Sequence, residues 1–335
     1  MVVEKIRKRM EMWPNYWCLT LLLILFSIGF LNVSSAADYP TKPIQIISTF
    51  PPGGGSDFIA RVVNNKISAL LGQPVVVVNK VGGGGVMGTY AAKAAPPDGY
   101  SIVVLTPAQI GAPLLTKNIT FNISKDFIMV NLAVSSPSLI VVKKDAPWVT
   151  LEELIGEAKK NPGNLTYSSN GYGSTGHFTA ELLKMAMGMD FHHIPMEGAG
   201  PAITSVLGGH THINLNEFGS LQKYLEAGSL RALAVMAKKR LKNFPDIPTF
   251  LEKGFPNLVF GTWQGFCVRS ETPRIIIEKL DKVFKEALND KENIGICEKA
   301  GWVVENLGSN ETAEFLAQEQ QKRSDVANAA KIVPK

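Results

Sequence analysis

Between residues 43 and 105, β-branched runs of four to six residues alternate with a stretch that has the period of a helix. The strand candidates are 43–48, 75–78 and 101–105. Between the first two, Phe58, Val62, Val63, Ile67, Leu70 and Leu71 recur at helical spacing across 57–71. Strand, helix, strand in that order predicts a parallel sheet with crossover helices. A second region repeats the alternation. It has strands at 138–142, 165–168, 213–215 and 231–237, and helices at 175–187, 201–207 and 224–227. Thr150-Leu151-Glu152-Glu153 forms a capping box that opens a further helix running to Lys160, where Asn161-Pro162-Gly163 stops it. The chain then returns to a strand at 265–268 and closes with amphipathic helices at 273–288 and 311–329. With 335 residues, two α/β lobes are expected rather than one. Composition shifts put the crossings near 138–142 and 264–268. Lobe 1 is therefore expected to comprise 37–139 and 264–335, and lobe 2 to comprise 140–263.

The first 36 residues read as an address rather than as part of the fold. Lys5, Arg7, Lys8 and Arg9 precede an apolar run of about fifteen residues from Trp17 to Leu31, and small residues follow at Ser34, Ser35, Ala36 and Ala37. This is the pattern of a cleaved secretory signal, and the run is short against the roughly 20 residues that span a bilayer. An uncleaved anchor is the weaker alternative. Cys18 lies at the front of the apolar run and not after it, the wrong place for a lipoprotein cysteine, so no lipid anchor is expected. The expected location is the periplasm.

Composition removes several function classes. A content of 45% hydrophobic residues against 19% charged excludes disorder, and three cysteines are too few for a disulfide scaffold. Beyond the signal only Cys267 and Cys297 remain, and two separate thiols are the expected state. The formal net charge of +5 falls to about +3 without the signal, and no Lys/Arg run interleaved with aromatics appears. Nucleic acid is therefore not an expected partner.

Three glycine-rich segments join a strand to a helix. They are Phe50-Pro51-Pro52-Gly53-Gly54-Gly55-Ser56-Asp57, Ser168-Ser169-Asn170-Gly171-Tyr172-Gly173-Ser174-Thr175, and Glu197-Gly198-Ala199-Gly200-Pro201. Glycine lets the backbone turn tightly and approach a guest closely. The free amides and positive end of the following helix then attract an anion. Ser56 or Asp57 is placed to cap the first helix, Ser174 the second, and Pro201 suits the first helical position of the third. One such junction is equally a plain capped turn; three on two lobes point to a cleft that grips an anion from both sides. Gly82-Gly83-Gly84-Gly85 lacks the Gly-Lys-Ser/Thr of a Walker loop, and Asp98 sits in a turn rather than at a strand end, so these glycines read as a packing loop.

Catalytic and metal chemistry find little support. All five histidines, His177, His192, His193, His210 and His212, lie in the second lobe, but no His-Glu-x-x-His helix or cysteine pair accompanies them, and surface or packing roles are expected. Ser174 and His177 lie three apart without a third orienting group, and Gly173-Ser174-Thr175-Gly176 is not a nucleophile elbow. No metal, cofactor or turnover is expected.

The chain resembles the solute receptors of tripartite tricarboxylate transporters, often called the Bug family. The resemblance rests on Tyr39-Pro40-Thr41-Lys42-Pro43-Ile44, the loop Phe50 to Asp57, Gly72-Gln73-Pro74-Val75-Val76-Val77, Ala94-Ala95-Pro96-Pro97-Asp98-Gly99-Tyr100 and the loop 167–177. It implies a type II periplasmic-binding-protein fold: two lobes, each a mostly parallel sheet flanked by helices, joined by two crossing segments. It further implies a monomeric receptor that takes a small carboxylate between the lobes and delivers it to membrane transporter subunits. Sensing by the same lobes, or a two-lobe enzyme acting on an anion, are the alternatives. Carried over by position, the ligand contacts would be Pro51, Gly54, Ser56, Asp57, Thr106 and Ala108 on lobe 1. Lobe 2 would supply Ser168, Gly173, Ser174, Gly198, Ala199 and Asn216. The family usually has an acid where Asn216 stands, a departure that favours a purely anionic or neutral guest.

Overall fold

The first helix begins where β1 (Ile44–Ser48) runs into its proline-glycine loop. That helix, α1 (Gly55–Leu71), buries Ile59, Val63 and Ile67 along one face and stops at Gly72, whose φ of 66° lies in the left-handed region. The computed structural model describes residues 39–330, so the signal reading of residues 1–36 lies outside the described residues. Next come β2 (Val75–Asn79), a 3-10 turn at Gly83–Gly85, α2 (Val86–Lys93), β3 (Ser101–Leu105), α3 (Pro107–Leu115) and the single turn α4 (Ile123–Asp126). β1 pairs in parallel with β2 on one side and β3 on the other, as the strand-helix-strand order requires.

β4 (Phe127–Lys143) is a single strand of 17 residues that serves two sheets. Its first part pairs antiparallel with β9 (Gly261–Arg269) and β10 (Val303–Gly308). From Ser138 onward it pairs with β7 (Ile213–Glu217) and β8 (Leu230–Val235). The second sheet is completed by β5 (Leu165–Ser169), which lies parallel to both β6 (Phe191–Pro195) and β7. The whole path runs β2-β1-β3-β9-β4-β7-β5-β6. The fold is thus two α/β lobes joined at β4 and at the return of the chain into β9.

Helices cover both sheets. The second lobe carries α5 (Leu151–Lys160), α6 (Thr175–Met187), α7 (Ala199–Leu207) and α8 (Phe218–Glu226). α9 (Arg274–Leu288), α10 (Lys291–Lys299) and α11 (Ser309–Ala329) follow the return. The capping box at Thr150 forms as expected, with Thr150 accepting from the Glu153 amide and Glu153 from the Thr150 amide. α7 opens at Ala199 with Gly198 as its cap, so Pro201 is the third helical residue rather than the first.

Each lobe has its own apolar core. Ile47, Val103, Leu105, Met129, Leu132 and Trp263 centre one, and Ile140, Val142, Tyr167, Phe178, Phe191 and Leu215 centre the other. α11 reaches both: Leu316 belongs to the first core, whereas Val326 and Ala327 belong to the second. Between them Arg323 is fully buried, its guanidinium 5.1 Å from the Phe178 ring and 4.8 Å from that of Phe260. Cys267 and Cys297 are free and buried, and burial pushes the Cys297 thiol up to about 11.

Phe266 of β9 and Phe284 of α9 stack with ring centroids 4.2 Å apart and no solvent exposure. Phe284→Ala is expected to lower the unfolding free energy by about 3–5 kcal/mol, because the site is too tightly enclosed to collapse around the lost ring. Urea denaturation followed by circular dichroism measures it.

Candidate functional site

Two helices of opposite lobes begin without a side-chain cap. Gly54, the N-cap of α1, has extended backbone angles and no side chain to accept from the helix amides. The neighbouring polar groups, expected as caps, are committed elsewhere. Ser56 Oγ lies 2.9 Å from Ser48 Oγ. Asp57 accepts from the Gly53 amide at 3.0 Å and from Asn79 Nδ2 at 2.9 Å, and pairs with Arg61 at 2.8 Å. Burial opposes the Asp57 charge, but the hydrogen bonds from Arg61, Gly53 and Asn79 outweigh it and hold its carboxyl below the usual range. Asp57 therefore fastens the loop from behind. α7 starts in the same way, its cap Gly198 having a φ of 127° and no side-chain acceptor. Positive φ is why a glycine stands there.

Two more helix starts are capped. Thr106 Oγ1 accepts from the Ala108 amide at 3.1 Å and Gln109 Oε1 from the Thr106 amide at 2.7 Å, at the head of α3. Ser174 accepts from the His177 amide at 3.4 Å at the head of α6. A fifth start, that of α8, has Glu217 at its cap position, while the Gly219 amide donates to Ser136 Oγ at 3.0 Å.

All five starts line one interlobe cleft. Gly54, Gly55, Ser56, Thr106 and Ala108 form its lobe 1 side, with Phe50, Thr262 and Gln264. Asn170, Ser174, Thr175, Ala199 and Glu217 form the other. No Lys, Arg or His is among these lining residues. Positive potential in the cleft comes from helix ends, each equivalent to about half an elementary charge.

Of the residues expected at the site, Gly54, Ser56, Thr106, Ala108, Ser174 and Ala199 line the cleft together. Pro51 and Gly198 meet at its rim, where a Cβ on Gly198 would stand 3.2 Å from Pro51 Cδ. Gly173 packs against α3: its added Cβ would lie 2.8 Å from the Ala112 amide nitrogen. Ser168 faces the lobe 2 interior, donating to the Ala202 carbonyl at 2.8 Å and accepting from Asn214 Nδ2 at 3.0 Å. Asn216 is buried, with Oδ1 accepting from Asn170 Nδ2 and from the Glu217 amide, both at 3.0 Å. The acid absent at position 216 stands one residue further on, as Glu217. Its carboxyl is fully buried; burial raises it above the ordinary glutamate range, partly offset by the Ser220 hydroxyl, its own backbone and Asn170. Glu217 was hidden in the sequence because its strand-to-helix junction, Leu215-Asn216-Glu217-Phe218, contains neither glycine nor proline.

The lobes touch through glycine. A Cβ on Gly111 of α3 would lie 2.4 Å from the Gly173 carbonyl oxygen, and one on Gly84 would lie 3.2 Å from the Tyr172 carbonyl oxygen. The four-glycine loop is therefore an interlobe contact as well as a packing turn. Behind the Ser174 loop, the His177 and His193 rings stack 4.4 Å apart, with Tyr167 stacked on His193 at 4.5 Å. Among the described residues no group of three or more His, Cys, Asp or Glu is arranged to hold a metal ion, and no helix is long and apolar enough to cross a membrane.

Known proteins share this chain's sequence and fold. The family described as "Tripartite tricarboxylate transporter family receptor" matches residues 59–331. Protein BugT of Bordetella pertussis is 32% identical over 307 residues, covering 91% of this chain and 94% of the relative. The solved structure of Rhodopseudomonas palustris Rpa4515 with adipate superposes with a TM-score of 0.84 at 26% identity, covering 89% of this chain and all of that one. MatC from the same organism, with bound malate, gives 0.82 at 26% identity over 86% of this chain and all of that one. Two lobes closing on a cleft of helix starts, and a match over most of the chain, place this protein in the tripartite tricarboxylate transporter receptor family.

Proposed function

We propose that the protein captures a small carboxylated organic solute in the interlobe cleft and delivers it to the membrane subunits of a tripartite tricarboxylate-type transporter, without turning it over. The observation that carries this reading is the pair of uncapped helix starts, α1 and α7, on opposite walls of a cleft that has no cationic side chain. A carboxylate spanning them supplies the missing acceptor to both, so its dehydration is offset only when the lobes are together. That difference in affinity between closed and open forms drives closure. The relatives solved with adipate and malate support a carboxylic acid as the guest. The basic and apolar start of the chain supports export to the periplasm by way of a cleaved signal within residues 1–36. In this reading the lobes divide at 139/140 and 263/264, with α11 tying them from behind.

A thermal-shift screen of mono- and dicarboxylates identifies the guest, since stabilisation follows ligand excess over Kd. Gly54→Asp then tests the mechanism. An aspartate at the N-cap accepts from the α1 amides itself, so carboxylate affinity should fall by about 100-fold or more, while the cap offsets the close approach of the new Cβ to the Pro51 carbonyl oxygen at 3.2 Å and the fold is kept. Unchanged affinity in calorimetry would contradict the proposal. Gly111→Ala tests the lobe contact: the added Cβ would stand 2.4 Å from the Gly173 carbonyl oxygen and 2.5 Å from the Phe178 ring, so α3 and the second lobe must move apart to admit it. Affinity is expected to drop about tenfold or more in calorimetry, with some loss of melting temperature.

A further inference from the structure

We propose that Glu217 makes the cleft selective for carboxylates that also carry an ammonium group, as an amino acid does, over matched hydroxy acids and simple carboxylates. This rests on the carboxylate reading of the cleft and narrows it. Among the described residues Glu217 is the one charged residue lining the cleft, and its side-chain partners are neutral: the Ser220 hydroxyl at 2.5 Å and Asn170 Nδ2 at 3.4 Å. A simple anion entering the cleft would face a buried carboxylate with no cation among the lining residues to offset it, whereas a guest bearing its own cation satisfies both.

The neutral groups around Glu217 point the same way. Asn170 Nδ2 donates to Asn216 Oδ1 and Glu217, which orients Asn170 Oδ1 as an acceptor; that oxygen is buried and has no partner. Gln264 Oε1, on the opposite wall, is likewise buried without one. The cleft therefore holds a set of acceptors in Glu217, Asn170 and Gln264, and a set of donors in the open amides of α1 and α7. A carboxylate with a nearby ammonium presents the complement of both sets, and three N–H donors match three acceptors. Malate and succinate leave the acceptors partly or wholly unpaired, and an unpaired buried polar group weakens binding strongly.

Isothermal titration calorimetry of the wild type and Glu217→Gln with three matched series tests this. The series are aspartate, malate and succinate; alanine, lactate and propionate; and phenylalanine, phenyllactate and phenylpropionate. In the series that fits the cleft, the amino member should bind wild type about tenfold or more tighter than the other two, and Glu217→Gln should bring all three within about threefold by weakening the amino member. Wild-type binding of the hydroxy or unsubstituted acid as tight as that of the amino acid would overturn the selectivity and leave carboxylate capture standing. Uptake of a proton with a simple acid, read from buffer-dependent enthalpies, would also overturn it, since Glu217 would then be neutralised rather than paired. Failure of every member to bind would overturn the carboxylate reading itself. The wild-type ranking decides the matter even if the variant does not fold.

Discussion

A backbone amide at the start of a helix needs an acceptor, and in this protein the two that matter are denied one by their own chain. Gly54 and Gly198 stand where most helices place serine, threonine, asparagine or aspartate. The nearest alternatives are otherwise engaged, Ser56 with Ser48 and Asp57 with Gly53, Asn79 and Arg61. What remains is a pair of open helix ends, on two bodies, facing a shared cleft. Holding an anion by dipoles rather than by lysine or arginine spares the lining long cationic side chains, so little conformational freedom is lost when a guest arrives.

The rest of the fold serves to aim those ends at each other. Parallel strands with crossover helices bring successive helix N-termini to the same edge of a sheet, where ligands bind in α/β folds. β4 joins two such sheets without a break, changing partners between Pro137 and Ser138, so the two edges face one another across the crossing. Ser136, beside that change, donates to the Gly301 carbonyl and accepts from the Gly219 amide, linking the junction to the start of α8. Trp302 follows directly. A Cβ on Gly55 would stand 2.9 Å from its ring and one on Gly219 2.4 Å, so one indole fills the angle between a helix start of each lobe. Glycines at 84, 111 and 173 let the lobes approach to backbone contact elsewhere.

Much of this was readable from residue order, and the exceptions have physical reasons. The glycine junctions at 53–55, 171–175 and 198–200 are visible because few conformations other than a tight strand-to-helix turn call for such clusters. The sequence shows β4 only from 138 onward, because Asn131, Ser135, Ser136 and Pro137 interrupt its apolar run; the last two stand beside the change of partners. α10 carries little amphipathic signal: Asn293 and Cys297 are its buried residues. Ser168 looked like a cleft hydroxyl by position, yet alternation along β5 turns it inward to Ala202 and Asn214. Glu217 shows the opposite failure. Nothing in its neighbourhood marks a junction, and only the register of β7 against β4, which pairs Glu217 with Ser138, carries it to the cleft.

The central claim is that one carboxylate is held at the same time by backbone amides of both lobes. Amide-resolved NMR during titration with the carboxylate found by screening measures this directly. The account predicts that the Gly55 and Ser56 amide protons of α1 and the Ala199 and Gly200 amide protons of α7 move downfield together, with one Kd and saturation at one equivalent. Shifts confined to one helix start, or two starts responding with separate constants, would contradict it.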